Sequence, residues 1–177
     1  MKKYRNRQQG FTLIELVAVI VLLGILAVTA LPRFISLQGD ARSNVLDGVA
    51  AAIQGANVQV YAKSLIVGNS GIDGTDASNP QVDINGDGVD DTEVSFGYVE
   101  TVSLSGVVDI SGDPDIIIAA AAGAAPSGAD TVVLVGYDLD ADGTIEDDNC
   151  YITYTEAAAA GAALPTPVKT DDTGCGG

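Results

Sequence analysis

Hydrophobic and polar positions fall into different patterns along the chain, and each pattern predicts a different element. An apolar run extends from Leu16 to Leu31. Counted from Phe11, the stretch has about the length, roughly 20 residues, that a helix needs to cross a hydrocarbon core. A single carboxylate, Glu15, sits near its start, and the cations Lys2, Lys3, Arg5 and Arg7 precede it. That charge asymmetry predicts a cytoplasmic N-terminus, with everything after Leu31 outside. A charge inside an apolar run is costly, so Glu15 marks a function or has a partner.

Beyond Pro32 the pattern becomes amphipathic. Leu46, Val49, Ile53, Ala56 and Val60 recur at spacings of three and four, which places them on one helical face. This face is predicted to pack on a sheet and is assigned no binding function. The helix is expected to end near Gly68, with Asn69 and Ser70 opening a loop. Pro32 removes a backbone donor, and Gly24, Gly39, Gly48 and Gly55 each weaken a helix by about 1 kcal/mol relative to Ala. Loosening is therefore expected around Val28 to Pro32, giving a compliant rod; the alternative is a kinked but fully helical segment.

From Gly68 to Asp91 the composition shifts to Gly, Asp, Asn and Ser, which reads as a long loop. Strand candidates follow at Val94–Val102, Val107–Ile110, Ile116–Ala120, Thr131–Tyr137 and Tyr151–Thr155, rich in β-branched and aromatic residues. Two similar tracts, Ala119–Pro126 and Ala157–Pro165, are either short helices or small-residue surfaces. The expected class is α+β: a long N-terminal helix packed on an antiparallel sheet. The expected divisions are a leader at 1–10, a helix at 11–67 and a head at 68–177. The apolar part of the helix covers 11–31 and its amphipathic half 33–67, and the head opens with a loop at 68–93.

Charge narrows the function. The 177 residues carry 24 acids against 8 Lys and Arg, a net charge of −16, and every cation except Lys169 lies at or before Lys63. So acidic a head repels phosphate backbones, which argues against nucleic-acid binding, and attracts cations. The chain has no histidine, so Ser-His-Asp and Cys-His catalysis cannot be assembled. Carboxylate pairs remain, but they are spread through polar loops, and the chain is read as a non-enzyme.

The block "GFTLIEL", with Gly10, Phe11 and Glu15 in register, closely resembles the N-terminus of type IV prepilins. The resemblance implies cleavage between Gly10 and Phe11 by a membrane prepilin peptidase, methylation of the new amino group, and a retained helix that first anchors the subunit and then forms a filament core. Glu15 would direct assembly by pairing with the Phe11 amino group of a neighbouring copy. "AVTALPRFISLQGDAR" and "AIQGANVQVYAKS" resemble the mannose-sensitive haemagglutinin branch, over about the first 65 residues. The implied partners are further copies of the chain, the assembly machinery of the inner membrane, and a host or abiotic surface. The implied location is the inner membrane, then a surface fimbrium of a Gram-negative bacterium. Cys150 and Cys175 lie in the part predicted to be outside, where disulfides persist. They resemble the C-terminal disulfide loop of many pilins, here 150–175; two free thiols are the alternative.

Two acidic stretches resemble the core of EF-hand calcium loops. In the stretch from Asp138 to Glu146, Asp138, Asp140 and Asp142 alternate before Gly143, with Thr144 offering a carbonyl and Ile145 at the apolar eighth position. Asn149 replaces the bidentate Glu at the twelfth. Asp83, Asn85, Asp87 and Asp91 form a similar set around Gly88, with Val94 at the twelfth position. Structural calcium is the implied cofactor, and solvated acidic turns are the alternative. Two rival readings of the whole chain remain open. One is a pseudopilin of a type II secretion system; the other is a secreted calcium-dependent binding domain, cut after Val28-Thr29-Ala30 by an ordinary signal peptidase.

Overall fold

The computed structural model describes residues 10–75, 80–110, 112–121 and 131–176. The chain separates into two compact units, Met1–Leu37 and Gln38–Gly177. Helix α1, Leu13–Val67, supplies the helical part of the first unit and the opening element of the second.

In the first unit, Leu13–Ala30 is a window of 18 residues apolar and long enough to cross a membrane, with none of it buried. At 1.5 Å per residue it measures about 27 Å, close to a bilayer's hydrocarbon thickness. The backbone stays helical across residues 28–32, so the expected loosening is absent from the single chain. A proline inside a helix deletes one donor, and the hydrogen bonds on either side can carry the helix through. The element begins at Leu13 rather than Phe11.

The second unit contains two antiparallel sheets, which bears out the α+β class. Strands β1 (Gln81–Val82), β2 (Thr92–Ser95) and β3 (Tyr98–Val99) form one sheet in that order. Strands β4 (Ile116–Ala120), β5 (Val132–Tyr137), β6 (Tyr151–Thr155) and β7 (Val168–Asp171) form the other, each strand pairing with the next. Between the sheets in sequence lie a 3-10 turn, Thr101–Ser103, and a short helix α2, Leu104–Val107.

Three expectations need correction. The segment Val94–Val102 is not one strand: Phe96 and Gly97 both take positive φ (51° and 87°), and the chain reverses there in a two-residue hairpin pairing Ser95 with Tyr98. Val107–Ile110 is not a strand, because Leu104 and Val108 are both buried four residues apart and a helical turn serves that spacing. The loop expected over 68–93 contains β1 and the start of β2. Of the small-residue tracts, Ala119 and Ala120 belong to β4, and residues 157–165 contain no helix; residues 122–126 lie outside the described residues.

The core forms where the amphipathic half of α1 meets the sheets. Leu46, Ile53 and Val60 are fully buried at intervals of seven, and Val49 and Ala56 pack beside them. The same stripe carries a buried amide, Asn57, that ties three elements together. Its Oδ1 accepts the Val99 N–H at 3.0 Å, its Nδ2 donates to the Pro165 carbonyl at 3.2 Å, and the Tyr154 hydroxyl reaches Oδ1 at 3.3 Å. That hydroxyl also donates to the Val99 carbonyl at 2.8 Å. Tyr61 stacks on Tyr98 with ring centres 4.9 Å apart, adding a second contact between α1 and the first sheet.

Replacing Asn57 by Ala strands the buried Val99 N–H and the Pro165 carbonyl. Such orphaned groups cost about 1–3 kcal/mol each. Denaturant unfolding of the full chain in detergent should therefore show a clearly lowered midpoint for Asn57→Ala, and a smaller loss for Tyr154→Phe.

Candidate functional site

The N-terminal end of α1 is closed by its own side chains. The Thr12 N–H donates to Glu15 Oε2 at 2.9 Å, the Thr12 hydroxyl donates to the same oxygen at 2.7 Å, and the Glu15 N–H returns to the Thr12 hydroxyl at 3.4 Å. This is a capping box, Thr-x-x-Glu, in which two otherwise orphaned donors are satisfied locally. Reading Glu15 as a lone charge missed that partner, although the Thr12-Leu13-Ile14-Glu15 spacing carries the signal. Gly10 and Phe11 precede the helix, and Phe11 is 92% exposed. The bond between them is thus outside any regular element.

Each acidic loop joins two antiparallel strands, β1 to β2 and β5 to β6, so neither is a helix–loop–helix unit. Both are wound by the same hydrogen bonds. In the later loop Asp138 Oδ2 accepts the Gly143 N–H at 2.9 Å, Asp140 Oδ1 accepts the Asp142 N–H at 3.2 Å, and Asp142 Oδ1 accepts the Thr144 N–H at 2.7 Å. In the earlier loop Asp83 accepts from Gly88 at 3.1 Å, Asn85 from Asp87 at 3.0 Å, and Asp87 from Val89 at 2.8 Å. The sixth residue of each, Gly88 or Gly143, takes a φ near 90°, which favours glycine.

The loops differ in how their carboxylates converge. Asp138, Asp140 and Asp142 bring one oxygen each within 4.8 Å of the others, a grouping able to hold a metal ion. The Glu146 carboxylate is not in that group. Among the described residues no second such group forms, so Asp83, Asp87 and Asp91 do not converge in the same way. The Asn85 amide instead donates to Asp87 at 3.0 Å and occupies one of its oxygens. Backbone donors, Gly86 first, hold the Asp83 carboxyl below the usual range, helped by the charge of Lys63. Asp140 shifts the other way: desolvation, then repulsion from Asp142, Asp148 and Asp147, raises it against the Asp142 N–H. The later loop therefore carries the less compensated charge.

That loop is fastened to the second sheet and to the C-terminal segment. Ile145 is fully buried, and Cys150, which follows the loop, is disulfide-bonded to Cys175. The Gly174 N–H donates to the Asn149 carbonyl at 3.1 Å. Two cations clasp this segment to α1, a feature that charge counting alone did not disclose. Arg42 donates to the Cys175 carbonyl at 2.8 Å and lies 5.6 Å from the centre of the Tyr137 ring. Lys169 pairs with Asp47 at 2.8 Å and donates to the Ser43 hydroxyl at 2.8 Å. Burial, then the bond to Asp113, pushes the Tyr137 phenol up to about 12.

The family described as the prokaryotic N-terminal methylation motif matches residues 5–31. That match contains Gly10, Phe11 and Glu15. The chain is similar to the type IV narrow pilus major component PilA5 of Thermus thermophilus, 50% identical over 50 residues, or 28% of this chain and 43% of the relative. It is 38% identical over 104 residues to the type IV major pilin protein PilE1 of Neisseria gonorrhoeae, covering 58% of this chain and 61% of that one. It is also 44% identical over 52 residues to the type II secretion system core protein G of Pseudomonas aeruginosa, covering 29% and 37%. The chain thus spans between about two-fifths and three-fifths of the length of these curated relatives. No solved structure matches it.

Gly136 tests how the later loop is seated. A Cβ there would lie 2.5 Å from the Cys150 carbonyl oxygen and 2.7 Å from the Ile145 side chain. Gly136→Ala should push Ile145 out of its site, with a lowered melting temperature and faster amide exchange across residues 138–149.

Proposed function

We propose that this chain is a structural subunit of a type IV pilus, made as a membrane-anchored precursor and polymerised through its N-terminal helix into a surface filament. The observation that carries the reading is the N-terminal methylation-motif match over residues 5–31, which contains an 18-residue apolar helical window with none of its residues buried. Lipid covers that surface before assembly, and copies of the same helix cover it afterwards. Prepilin peptidase cuts between Gly10 and Phe11, and the accessible Phe11 and non-helical backbone there suit such a cut. Glu15 then pairs with the new amino group of a neighbour. Both of its capping bonds use Oε2, so the cap and the neighbour's cation can share one carboxylate. The filament serves adhesion or motility, no enzymatic activity is assigned, and the resemblance near residues 28–65 points to the haemagglutinin branch.

Calcium is the proposed structural ion of the loop at 138–149, held by Asp138, Asp140 and Asp142, because oxygen donors at alternate positions before a sharp turn suit a hard cation. The loop at 83–91 is the weaker candidate, since Asn85 and backbone donors already occupy its acids. One observation favours a second reading of the whole chain, as a secretion pseudopilin: the 44% identity to a core secretion protein. Long sheared surface filaments containing the chain would decide for the pilus.

The mature protein should begin at Phe11 by mass spectrometry. Glu15→Val should leave cleavage intact and sharply reduce filament yield; a normal yield removes the pairing role. Calcium at millimolar concentration should raise the melting temperature relative to chelator, and Asp140→Ala should abolish most of that rise. An unchanged melting temperature counts against calcium.

A further inference from the structure

Away from both acidic loops, the head buries two carboxyl groups that repel each other, one of them bonded to the backbone next to the other. Glu100, which follows β3, is 2% exposed, and Glu156, which follows β6, is 4% exposed. Glu156 Oε1 accepts the Thr101 N–H, while its Oε2 has no hydrogen-bond partner among the described residues. Among the described residues, the charged groups acting on Glu100 are Glu156, then Glu93 on β2 and Asp73 in the loop after α1, all of them acids. Asp73 also acts on Glu156. Gln81 reaches Glu93 at 3.4 Å, and the phenol of Tyr154 lies within the field of Glu156.

Directly over Glu100 lies a short piece of backbone. A Cβ on Gly74 would stand 2.9 to 3.0 Å from the carboxyl atoms of Glu100, so the chain rests on that group with no room for a side chain. This piece is held by two hydrogen bonds to the β2–β3 hairpin. The Gly74 N–H donates to the Ser95 hydroxyl at 3.2 Å, and the Phe96 N–H donates to the Ile72 carbonyl at 2.7 Å.

We propose that Ile72–Thr75 is a strap held shut by protons on the buried Glu100 and Glu156 carboxyls, and that it opens when they ionise. Two buried acids close together cannot both carry charge without a compensating cation, and a neutral acid is the form that tolerates a backbone packed against it. Water reaching the ionised pair from that side displaces the strap, because Gly74 lies against the Glu100 carboxyl. The direction of the titration agrees: burial, then the charges of Glu156, Glu93 and Asp73, pushes Glu100 up to about 7. Burial likewise raises Glu156, against the Thr101 hydrogen bonds that lower it. With a folded value above the unfolded one, the stabilisation is complete below the ordinary glutamate range and is lost as pH rises through about 7. The calcium loops have the opposite dependence, since protons compete with a metal for their carboxylates at low pH.

The test uses the full chain in detergent micelles with chelator present, and follows amide-exchange protection factors at Gly74 and Phe96 from about pH 5 to about pH 8. Protection should fall by up to about tenfold per pH unit for each proton released between the ordinary glutamate range and about 7, and level off above that, while amides in β5 and β6 hold theirs. Glu100→Gln, an uncharged near-isostere, should flatten most of that fall, and Glu156→Gln should shrink it and move it to lower pH by removing one repelling charge. Protection at Gly74 and Phe96 that ignores pH in the unmodified chain overturns the proposal. So does a fall that persists unchanged in both variants. Carbon-13 titration of the Glu100 carboxyl is an independent readout: a midpoint near neutrality supports the strap, and one in the ordinary glutamate range overturns it.

Discussion

Apolar surface left uncovered on the first half of α1 is the constraint on which the rest depends. Leu13–Ala30 buries nothing within the chain, yet its leucines, isoleucines and valines point outward along the whole window. Burying one such side chain is worth roughly 1.5–3 kcal/mol, so a surface of this extent in water drives association with lipid or with like helices. The capping box at Thr12 and Glu15 follows from the same constraint. Where a helix starts in an apolar environment, its first donors have no water to turn to, and a carboxylate three residues on supplies what they lack.

The parts legible in the sequence were those in which a period or a turn residue repeats. Leu46, Ile53 and Val60 declared their buried face by spacing, and Ile116–Ala120 and Tyr151–Thr155 declared strands by their β-branched and aromatic residues. Short strands were not legible. Gln81–Val82 and Val168–Asp171 are too brief to carry alternation, and they exist because Thr92 and Thr153 offer them an edge to pair with. Asn57 illustrates a different limit. On a helical wheel it is one polar residue on an apolar face, and only the folded chain shows a Val99 N–H and a Pro165 carbonyl reaching it from elements about 40 and 110 residues away. The acidic loops were visible as composition and spacing, but the difference between them was not. It arises from what already occupies each carboxylate, Asn85 and backbone donors in one loop and fellow acids in the other.

Charge in the head is distributed by a consistent physical logic. Two of its few cations fasten the C-terminal segment and β7 to α1: Arg42 holds the Cys175 carbonyl, and Lys169 pairs with Asp47 and Ser43. Placing them there leaves the remaining acids to find other compensation. Exposed acids have water, and those in the loops also have backbone donors arranged around them. Glu100 and Glu156 have little of either, since both are buried and one Glu156 oxygen lacks a hydrogen bond among the described residues.

Protonation is then the remaining compensation for the buried pair, and burial with neighbouring acids pushes Glu100 up to about 7. Neighbouring acids strengthen the effect, because Asp73 and Glu93 disfavour the charged form without themselves being buried. A lysine in place of either would favour the charged form and lower the pH at which the pair ionises. The same scarcity of cations leaves the later acidic loop with three carboxylates able to hold a metal ion and leaves the buried pair to be compensated by the proton.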